Sequence, residues 1–128
     1  MNSTVSEFSA LLEQIDATQQ SIQSTSKFFS DKIAEKSDLV KDFVVTWAKA
    51  MVTNTKKVEL FYLANDIIQR EKDNEKLKAL FSMVMPRALQ SFGSNIIYLG
   101  NAKKVLNIWG QRQVFPHDKI TEFLRICA

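Results

Sequence analysis

Four polar residues recur at helical spacing inside an otherwise apolar segment. Tyr62, Asn65, Asp66 and Gln69 stand at positions i, i+3, i+4 and i+7, which places them along one stripe of a helix. A plain solvent face would favour Lys and Glu, because Asn and Asp have short side chains that compete for backbone hydrogen bonds. The stripe offers an aromatic ring, a carboxylate acceptor and two amides, a set that suits an extended peptide rich in hydroxyl groups. We interpret it as the wall of a binding groove.

A second polar set lies between Asn101 and about Arg112. Lys104, Asn107 and Gln111 stand at i, i+3 and i+7, and the sequence has no acid from residue 76 to residue 117. The cations of this acid-free segment are Lys76, Lys78, Arg87, Lys103, Lys104 and Arg112. Lys104 could bind a phosphate through charge-assisted hydrogen bonds, each contributing about 1.5–3 kcal/mol when shielded from water. The alternative is an ordinary solvated lysine.

The elements that must position these residues are helices. The chain has 128 residues with only 3 Gly and 2 Pro, and this low content of turn-forming residues argues against an all-β fold. Apolar residues recur at three- and four-residue steps almost throughout, which predicts seven or eight short helices and no strand. Short helices with short connections pack as antiparallel neighbours, in a bundle or in a superhelix. The length fits one domain, residues 1–128, which could be the N-terminal part of a longer protein.

Several residues predict where the helices begin and end. Asp16 to Ser21 reads as a polar loop with Thr18 as an N-cap, and Asn74 is a second cap. Pro86 predicts a kink or a break, and Gly100 with Asn101 predicts a split between a short helix and a longer one. The segment that contains Tyr62 is apolar nearly all round apart from its polar stripe, which predicts a central position in the fold.

Few residues in the sequence are suited to catalysis. The only His is His117, beside a proline, and the only Cys is Cys127, the penultimate residue. A nucleophilic site needs an activated nucleophile beside a base, and neither residue stands in such a pattern. The sequence also has no glycine-rich phosphate loop and no metal-ligand spacing. We expect a protein that is not an enzyme and that uses no metal and no cofactor. We also expect no membrane association, because no apolar run approaches the length of a membrane-spanning helix.

Three segments carry a resemblance to a known family. Leu60–Gln69 (LFYLANDIIQ) resembles the signature helix of the CTD-interacting domain, also called the CID or RPR domain. Lys103–Trp109 (KKVLNIW) is similar to the penultimate helix of that family, and Gln19–Ile22 (QQSI) resembles its first interhelical loop. The resemblance extends from about Val5 to Leu124. It is strongest to the members that regulate transcription termination and pre-mRNA production.

The resemblance implies a right-handed superhelix of eight α-helices that binds the C-terminal tail of the largest RNA polymerase II subunit in the nucleus. The tail consists of YSPTSPS repeats that are phosphorylated on serine. By this analogy Tyr62 would pack against a tail proline, and Asp66 would accept a hydrogen bond from a tail hydroxyl. Asn65 and Gln69 would flank that contact. Lys104 would replace a phosphate-binding Arg, and its point charge, in place of a two-pronged guanidinium, would loosen the discrimination among phosphoserines.

The resemblance adds further residues to the two polar sets described above. Gln20 and Ser21 join the predicted peptide-binding residues, together with Asn107 and Gln111. The predicted phosphate-binding residues are Lys104, Lys103, Arg112 and Arg70. The sequence Arg-Glu-Lys-Asp at residues 70–73 replaces the more basic Asn-Ser-Lys-Arg-Lys of many members, so we expect little electrostatic contribution from this loop.

Two alternatives remain open from the sequence. One is a VHS- or ENTH-type adaptor for membrane cargo or lipid, although the first predicted helix carries Glu7 and Glu13 and no Lys or Arg. The other is an RNA-binding module, although most aromatic residues fall at core-facing positions where they could not stack on bases. We expect at most a weak contact with RNA, and a domain that is monomeric by itself.

Overall fold

The computed structural model describes residues 3–128, and this part of the chain folds into seven α-helices without a strand. The helices are α1 (Ser3–Gln14), α2 (Gln19–Glu35), α3 (Leu39–Thr53), α4 (Lys57–Arg70), α5 (Glu75–Gln90), α6 (Ile96–Gln111) and α7 (His117–Ile126). The all-α prediction is confirmed, with seven helices in the described residues where about eight were predicted.

Side-chain caps explain where three of the helices begin. The backbone N–H of Ser21 donates to the hydroxyl of Thr18 at 3.1 Å, and the N–H of Leu77 donates to the side-chain oxygen of Asn74 at 3.0 Å. Asn95 caps α6 in the same way. Each cap satisfies a backbone donor that the first helical turn leaves without an intrahelical acceptor. The caps predicted at Thr18 and Asn74 are therefore confirmed.

The predicted split at Gly100 and Asn101 is wrong, because α6 is continuous. The side-chain amide of Asn101 donates to the carbonyl of Ile97 at 3.0 Å, and its oxygen accepts from the hydroxyl of Tyr62 at 2.9 Å. The polar groups of Asn101 are thus satisfied inside a helix, and Gly100 is exposed, where a missing side chain leaves no cavity. Similarly, α5 continues through Pro86.

The helices form two layers. In one layer α3 packs between α1 and α5, and α5 packs in turn against α7. In the other layer α4 packs between α2 and α6. We refer to these as the odd layer and the even layer. This alternation of successive helices between two layers gives the superhelical arrangement that the sequence predicted, and it places α4 in the middle of the even layer.

The hydrophobic core lies between the two layers and is rich in aromatic rings. Its largest fully buried side chains are Trp47, Trp109, Phe8, Phe29, Phe43, Phe61, Phe81 and Phe123. The indole N–H of Trp47 donates to the carbonyl of Leu60 at 2.8 Å, which attaches the odd layer to α4. The predicted central position of α4 is confirmed by this burial. Within residues 3–128, no helix is long and apolar enough to span a membrane.

Candidate peptide-binding groove

The polar stripe of α4 lies on the side of the helix that faces away from the core. Tyr62, Asn65, Asp66 and Gln69 are all half-buried, whereas the buried residues of α4 occupy its opposite side. The neighbouring helices α2 and α6 flank the stripe on its two sides. The stripe is therefore the floor between two helices and is partly sheltered from solvent.

Two side-chain hydrogen bonds join the ends of the stripe to α6. The hydroxyl of Tyr62 donates to Asn101, and the guanidinium of Arg112 donates to the side-chain oxygen of Gln69. Tyr62 precedes Gln69 on α4, and their partners Asn101 and Arg112 follow in the same order on α6. The two helices therefore run in the same direction. The α6 side of the groove is therefore closed by bonded pairs at both ends, and the ring of Tyr62 is the part of that residue left for a ligand.

The side-chain oxygen of Asn65 accepts two hydrogen bonds. The indole N–H of Trp109 and the amide of Gln69 both donate to it, each at 2.8 Å. The amide nitrogen of Asn65 has no partner among residues 3–128. Asn65 therefore turns its acceptor toward the protein and keeps its N–H groups for a ligand carbonyl.

Asp66 and Arg70 form an ion pair on the α2 side of the groove. The guanidinium of Arg70 lies 3.2 Å from one carboxylate oxygen of Asp66, and its Nε donates to the hydroxyl of Ser26 at 3.2 Å. Ser26 belongs to α2 and is fully buried. Arg70 thus holds α2 against α4, and the predicted phosphate-binding role of Arg70 has to compete with these two internal bonds. One oxygen of Asp66 has no partner within residues 3–128 and can accept from a ligand hydroxyl.

Lys104 is exposed on the α6 side of the groove and has no ion-pair partner in residues 3–128. At about 100° per residue, Lys104 lies roughly 60° around α6 from Asn101, which contacts α4. Lys103 lies on a different side of the helix, where its charge acts on the thiol of Cys127. Lys104 therefore lies nearer the α4-facing side of α6 than Lys103 does, and the phosphate-binding role of both residues stays a prediction.

Asn107 and Gln111 border a different opening. They line a cleft of about 1000 Å³ between α6 and α7, together with His117 and Ile120. Around the axis of α6, Asn107 lies about 120° and Gln111 about 80° from Asn101, which contacts α4. Their peptide-binding role stays a prediction.

Gln20 and Ser21 lie in the first turn of α2, whereas the sequence predicted a loop that extended to residue 21. The helix begins earlier because Thr18 caps it. Gln20 lines a shallow pocket of about 630 Å³ with Lys27 and Arg70, so it does reach the end of the α4 stripe. The hydroxyl of Ser21 is used internally, since it accepts a hydrogen bond from the backbone N–H of Asp16 at 3.1 Å.

The start of α2 is already occupied by a negative charge. The backbone N–H and the hydroxyl of Thr18 both donate to the carboxylate of Asp16. These hydrogen bonds lower the pKa of Asp16 below its ordinary value of 3.8, so the carboxylate is charged at neutral pH. Asp16 therefore places a negative charge beside Ser21, whose hydroxyl accepts from the backbone N–H of Asp16.

This geometry can be compared with known families. The family model for the CID domain matches residues 6–123. The chain belongs to the CID domain family. This match selects the CID over the VHS- and ENTH-type adaptors that the sequence left open. CID domains form a family of protein-interaction domains and not of enzymes. None of the curated proteins matches this chain.

The CID contains two groove residues that sequence reasoning missed. Asn101 was interpreted as a helix break, yet it anchors Tyr62, and Ser26 anchors Arg70 from the buried side of α2. The sequence could have indicated Asn101, because Asn101 stands three residues before Lys104 and a continuous α6 places both residues on the same face. Ser26 carries no such signal, since one serine in a helix with several others is not distinctive.

The residues of the CID considered for catalysis do not form a site. His117 is exposed at the start of α7, whereas Cys127 is buried just after its end. Ten residues of helix separate them by about 15 Å, which prevents one from activating the other. In the part of the chain that the structure describes, no group of His, Cys, Asp and Glu side chains could hold a metal ion.

Proposed function

We propose that this CID binds the serine-phosphorylated heptad-repeat tail of the largest RNA polymerase II subunit. We further propose that it acts in the nucleus as a scaffold in transcription termination or pre-mRNA 3′-end processing. The single observation that carries the proposal is the half-buried stripe on α4, which offers an open carboxylate oxygen of Asp66 and free N–H groups of Asn65 beside the unpaired Lys104. CID domains as a family are known for binding this tail.

The groove matches the chemistry of a YSPTSPS repeat. The half-buried ring of Tyr62 offers an apolar surface to a proline, while its hydroxyl is held by Asn101. Asp66 accepts a hydrogen bond from a tail hydroxyl, of which the repeat has many. Asn65 donates to a backbone carbonyl, which fixes an extended peptide without reading its sequence.

The phosphate binds most favourably at Lys104. Arg70 and Arg112 are already bonded to Asp66 and Gln69, so a phosphate would have to displace those partners. Lys104 has no such partner in the described residues and lies about 60° around α6 from Asn101, which bonds to the stripe. An ammonium group that bonds a partly shielded phosphate contributes about 1.5–3 kcal/mol, enough for a clear preference for the modified tail.

Binding of a single repeat is expected to be modest. The free tail is disordered, and ordering it on the groove costs free energy at the moment of binding. Repetition of the heptad then raises the apparent affinity, provided that several CID modules can engage one tail at once.

The test is fluorescence anisotropy with tail peptides that carry a phosphate on one serine at a time. We compare the wild-type domain with Lys104→Ala, and we use Lys103→Ala as the matched control because it removes the same charge from the neighbouring position on another face. Lys104→Ala should reduce the ratio of phosphorylated to unmodified affinity by about fivefold or more, and Lys103→Ala should leave it nearly unchanged.

Two results would count against the proposal. If no tail peptide binds better than a scrambled peptide of the same composition, the tail is not the ligand. If a single-stranded RNA control binds more tightly than every phosphopeptide, the alternative of an RNA-binding module replaces it.

A further inference from the structure

The odd layer carries an apolar furrow on the opposite side of the molecule from the α4 groove. The furrow lies between α3 and α5, has a volume of about 380 Å³, and is lined by Val45, Ala48, Val52 and Val84. Val45 and Val52 expose 39% and 42% of their surfaces, which is high for aliphatic side chains that share one helix face. Val45 and Val52 are not part of the hydrophobic core, whereas Ala48 and Val84 are half-buried and pack against its edge.

The two sides of the furrow are positively charged. Lys49 of α3 and Arg87 of α5 both line it, and no acidic residue does. Neither cation forms an ion pair with any group in residues 3–128. Lys27, Lys32 and Lys119 each have an acidic partner within one turn of their own helix, whereas other exposed cations such as Lys36 and Lys72 are unpaired in the described residues as well. The furrow therefore combines an apolar floor with two uncompensated positive charges.

The dimensions of the furrow fit a helix. Val45 and Val52 are two turns apart on α3, which corresponds to a length of about 10 Å. A furrow between two packed helices accepts the ridge of side chains of a third helix. A ligand helix of two or three turns would place aliphatic residues at i, i+3 or i+4, and i+7 on this floor.

We propose that the furrow between α3 and α5 docks an amphipathic helix of a partner protein. Its aliphatic stripe packs on Val45, Val52 and Val84, and acidic residues beside the stripe pair with Lys49 on one side and Arg87 on the other. The proposal concerns the layer that the tail-binding groove does not use, so it is independent of the proposed function. A CID bound to the polymerase tail could then hold a second protein at the same time.

The charge of the furrow disfavours two other occupants. A symmetric contact between two copies of the chain would bring the same patch together, and Lys49 and Arg87 would repel their own equivalents. An anionic membrane would attract the charges, but a flat bilayer requires apolar residues that protrude from the surface. Here Ala48 is half-buried at the floor between longer side chains, where only a ridge can reach it.

The test is an NMR titration of the isotope-labelled domain with a synthetic helical peptide of about four turns that carries a leucine stripe flanked by glutamates. A matched peptide has lysine in place of every glutamate. The glutamate peptide should shift the backbone amide signals of residues 45–53 and of Val84, Met85 and Arg87, and the lysine peptide should bind at least about tenfold more weakly.

Variants of the furrow separate charge from apolar contact. The double variant Lys49→Glu/Arg87→Glu should weaken binding of the glutamate peptide about tenfold, with a smaller effect at high salt. Lys36→Glu/Lys72→Glu makes the same change in net charge at exposed positions away from the furrow and should have little effect. Val45→Thr/Val52→Thr keeps the shape and charge and should also weaken binding.

All variants change exposed side chains, and an unchanged circular dichroism spectrum shows that they fold. Equal binding of both peptides, shifts confined to α4 and α6, or undiminished binding by the Lys49 and Arg87 double variant would overturn the proposal. Binding to phosphatidylserine vesicles without binding to the peptide would also overturn it, as would self-association that Val45→Thr/Val52→Thr abolishes. The affinity of Lys49→Glu/Arg87→Glu for tail peptides should remain unchanged. The helix-docking inference and the proposed tail binding are therefore tested by separate measurements.

Discussion

The indole N–H of Trp109 donates a hydrogen bond of 2.8 Å to the side-chain oxygen of Asn65, across the contact between α6 and α4. Trp109 is fully buried, so this bond satisfies a donor that water cannot reach. The nitrogen of the same amide has no hydrogen-bond partner within residues 3–128, and Asn65 is half-buried on the face of α4 that carries the polar stripe. Asn65 therefore couples the packing of the even layer to the surface proposed to hold a peptide, and the two roles can be measured separately.

Asn65→Ala should lower the free energy of unfolding by about 1–3 kcal/mol, because it leaves the buried N–H of Trp109 without an acceptor. Urea denaturation followed by circular dichroism measures this change. Asn65→Asp is the matched control, since it retains an oxygen acceptor at the same position and should cost less. Equal stability of Asn65→Ala and the wild type would show that the bond contributes nothing net.

Asp66→Asn should weaken binding of the tail peptide about fivefold, because a neutral acceptor forms a hydrogen bond roughly half as strong as a carboxylate does. The fold should be nearly unaffected, since a partly exposed ion pair such as Asp66–Arg70 contributes only about 0–1 kcal/mol to stability. Anisotropy titration measures the affinity, and thermal unfolding measures the stability.

The control for Asp66→Asn is Glu122→Gln. Glu122 forms a comparable surface ion pair with Lys119, 3.6 Å away on α7. This variant removes one acidic charge outside the groove and should leave the affinity for the tail peptide unchanged. A tail affinity of Asp66→Asn equal to that of the wild type would mean that no ligand hydroxyl bonds to this carboxylate.

The sequence was sufficient to predict the helical fold and the stripe on α4. Both depend on periodicity within one helix, which is a local property, and poor helix formers such as Asn65 and Asp66 in an apolar segment are conspicuous. The internal ion pair between Asp66 and Arg70 was also accessible in principle, because the two residues are four positions apart.

The contacts between helices could not be predicted in the same way. Periodicity places Lys104, Asn107 and Gln111 on one side of α6, but it does not say that α7 borders Asn107 and Gln111. The hydrogen bonds from Tyr62 to Asn101 and from Arg70 to Ser26 join residues about 40 positions apart, whose distance depends on the packing of whole helices. Asn101 was misinterpreted because its local preference for helix ends is overridden by a tertiary hydrogen bond.

The stability of the domain should decrease at alkaline pH through Cys127. Burial raises the pKa of this thiol above its ordinary value of 9.0, so the folded state keeps the neutral form. The contribution is fully present below pH 9.0, where both states are protonated, and is lost as the pH rises through the folded pKa, because the unfolded chain ionises first.

Urea unfolding of the wild type and of Cys127→Ala at several pH values isolates this effect from other groups that titrate in the same range. The wild type should lose stability more steeply above pH 9.0 than the variant. Parallel slopes for the two proteins would contradict the assignment. A thiol reagent should also react slowly with the folded domain, because Cys127 is only 1% exposed.

The salt dependence of tail binding should be shallow, because a single cation, Lys104, is proposed to meet the phosphate. Each protein–phosphate contact with duplex DNA contributes about −0.9 to the slope of log affinity against log salt concentration, so 6–10 contacts give roughly −5 to −9. A disordered tail has a lower charge density and releases fewer counterions, and we expect a slope between about 0 and −2.

Anisotropy titrations of the phosphopeptide between about 50 and 200 mM salt measure this slope. Lys104→Ala should flatten the slope further, while Lys103→Ala should not. A slope near −5 would instead require an extended row of cations against a polyanion, and the groove between α2, α4 and α6, in which Arg70 and Arg112 are already engaged by α4, does not provide one.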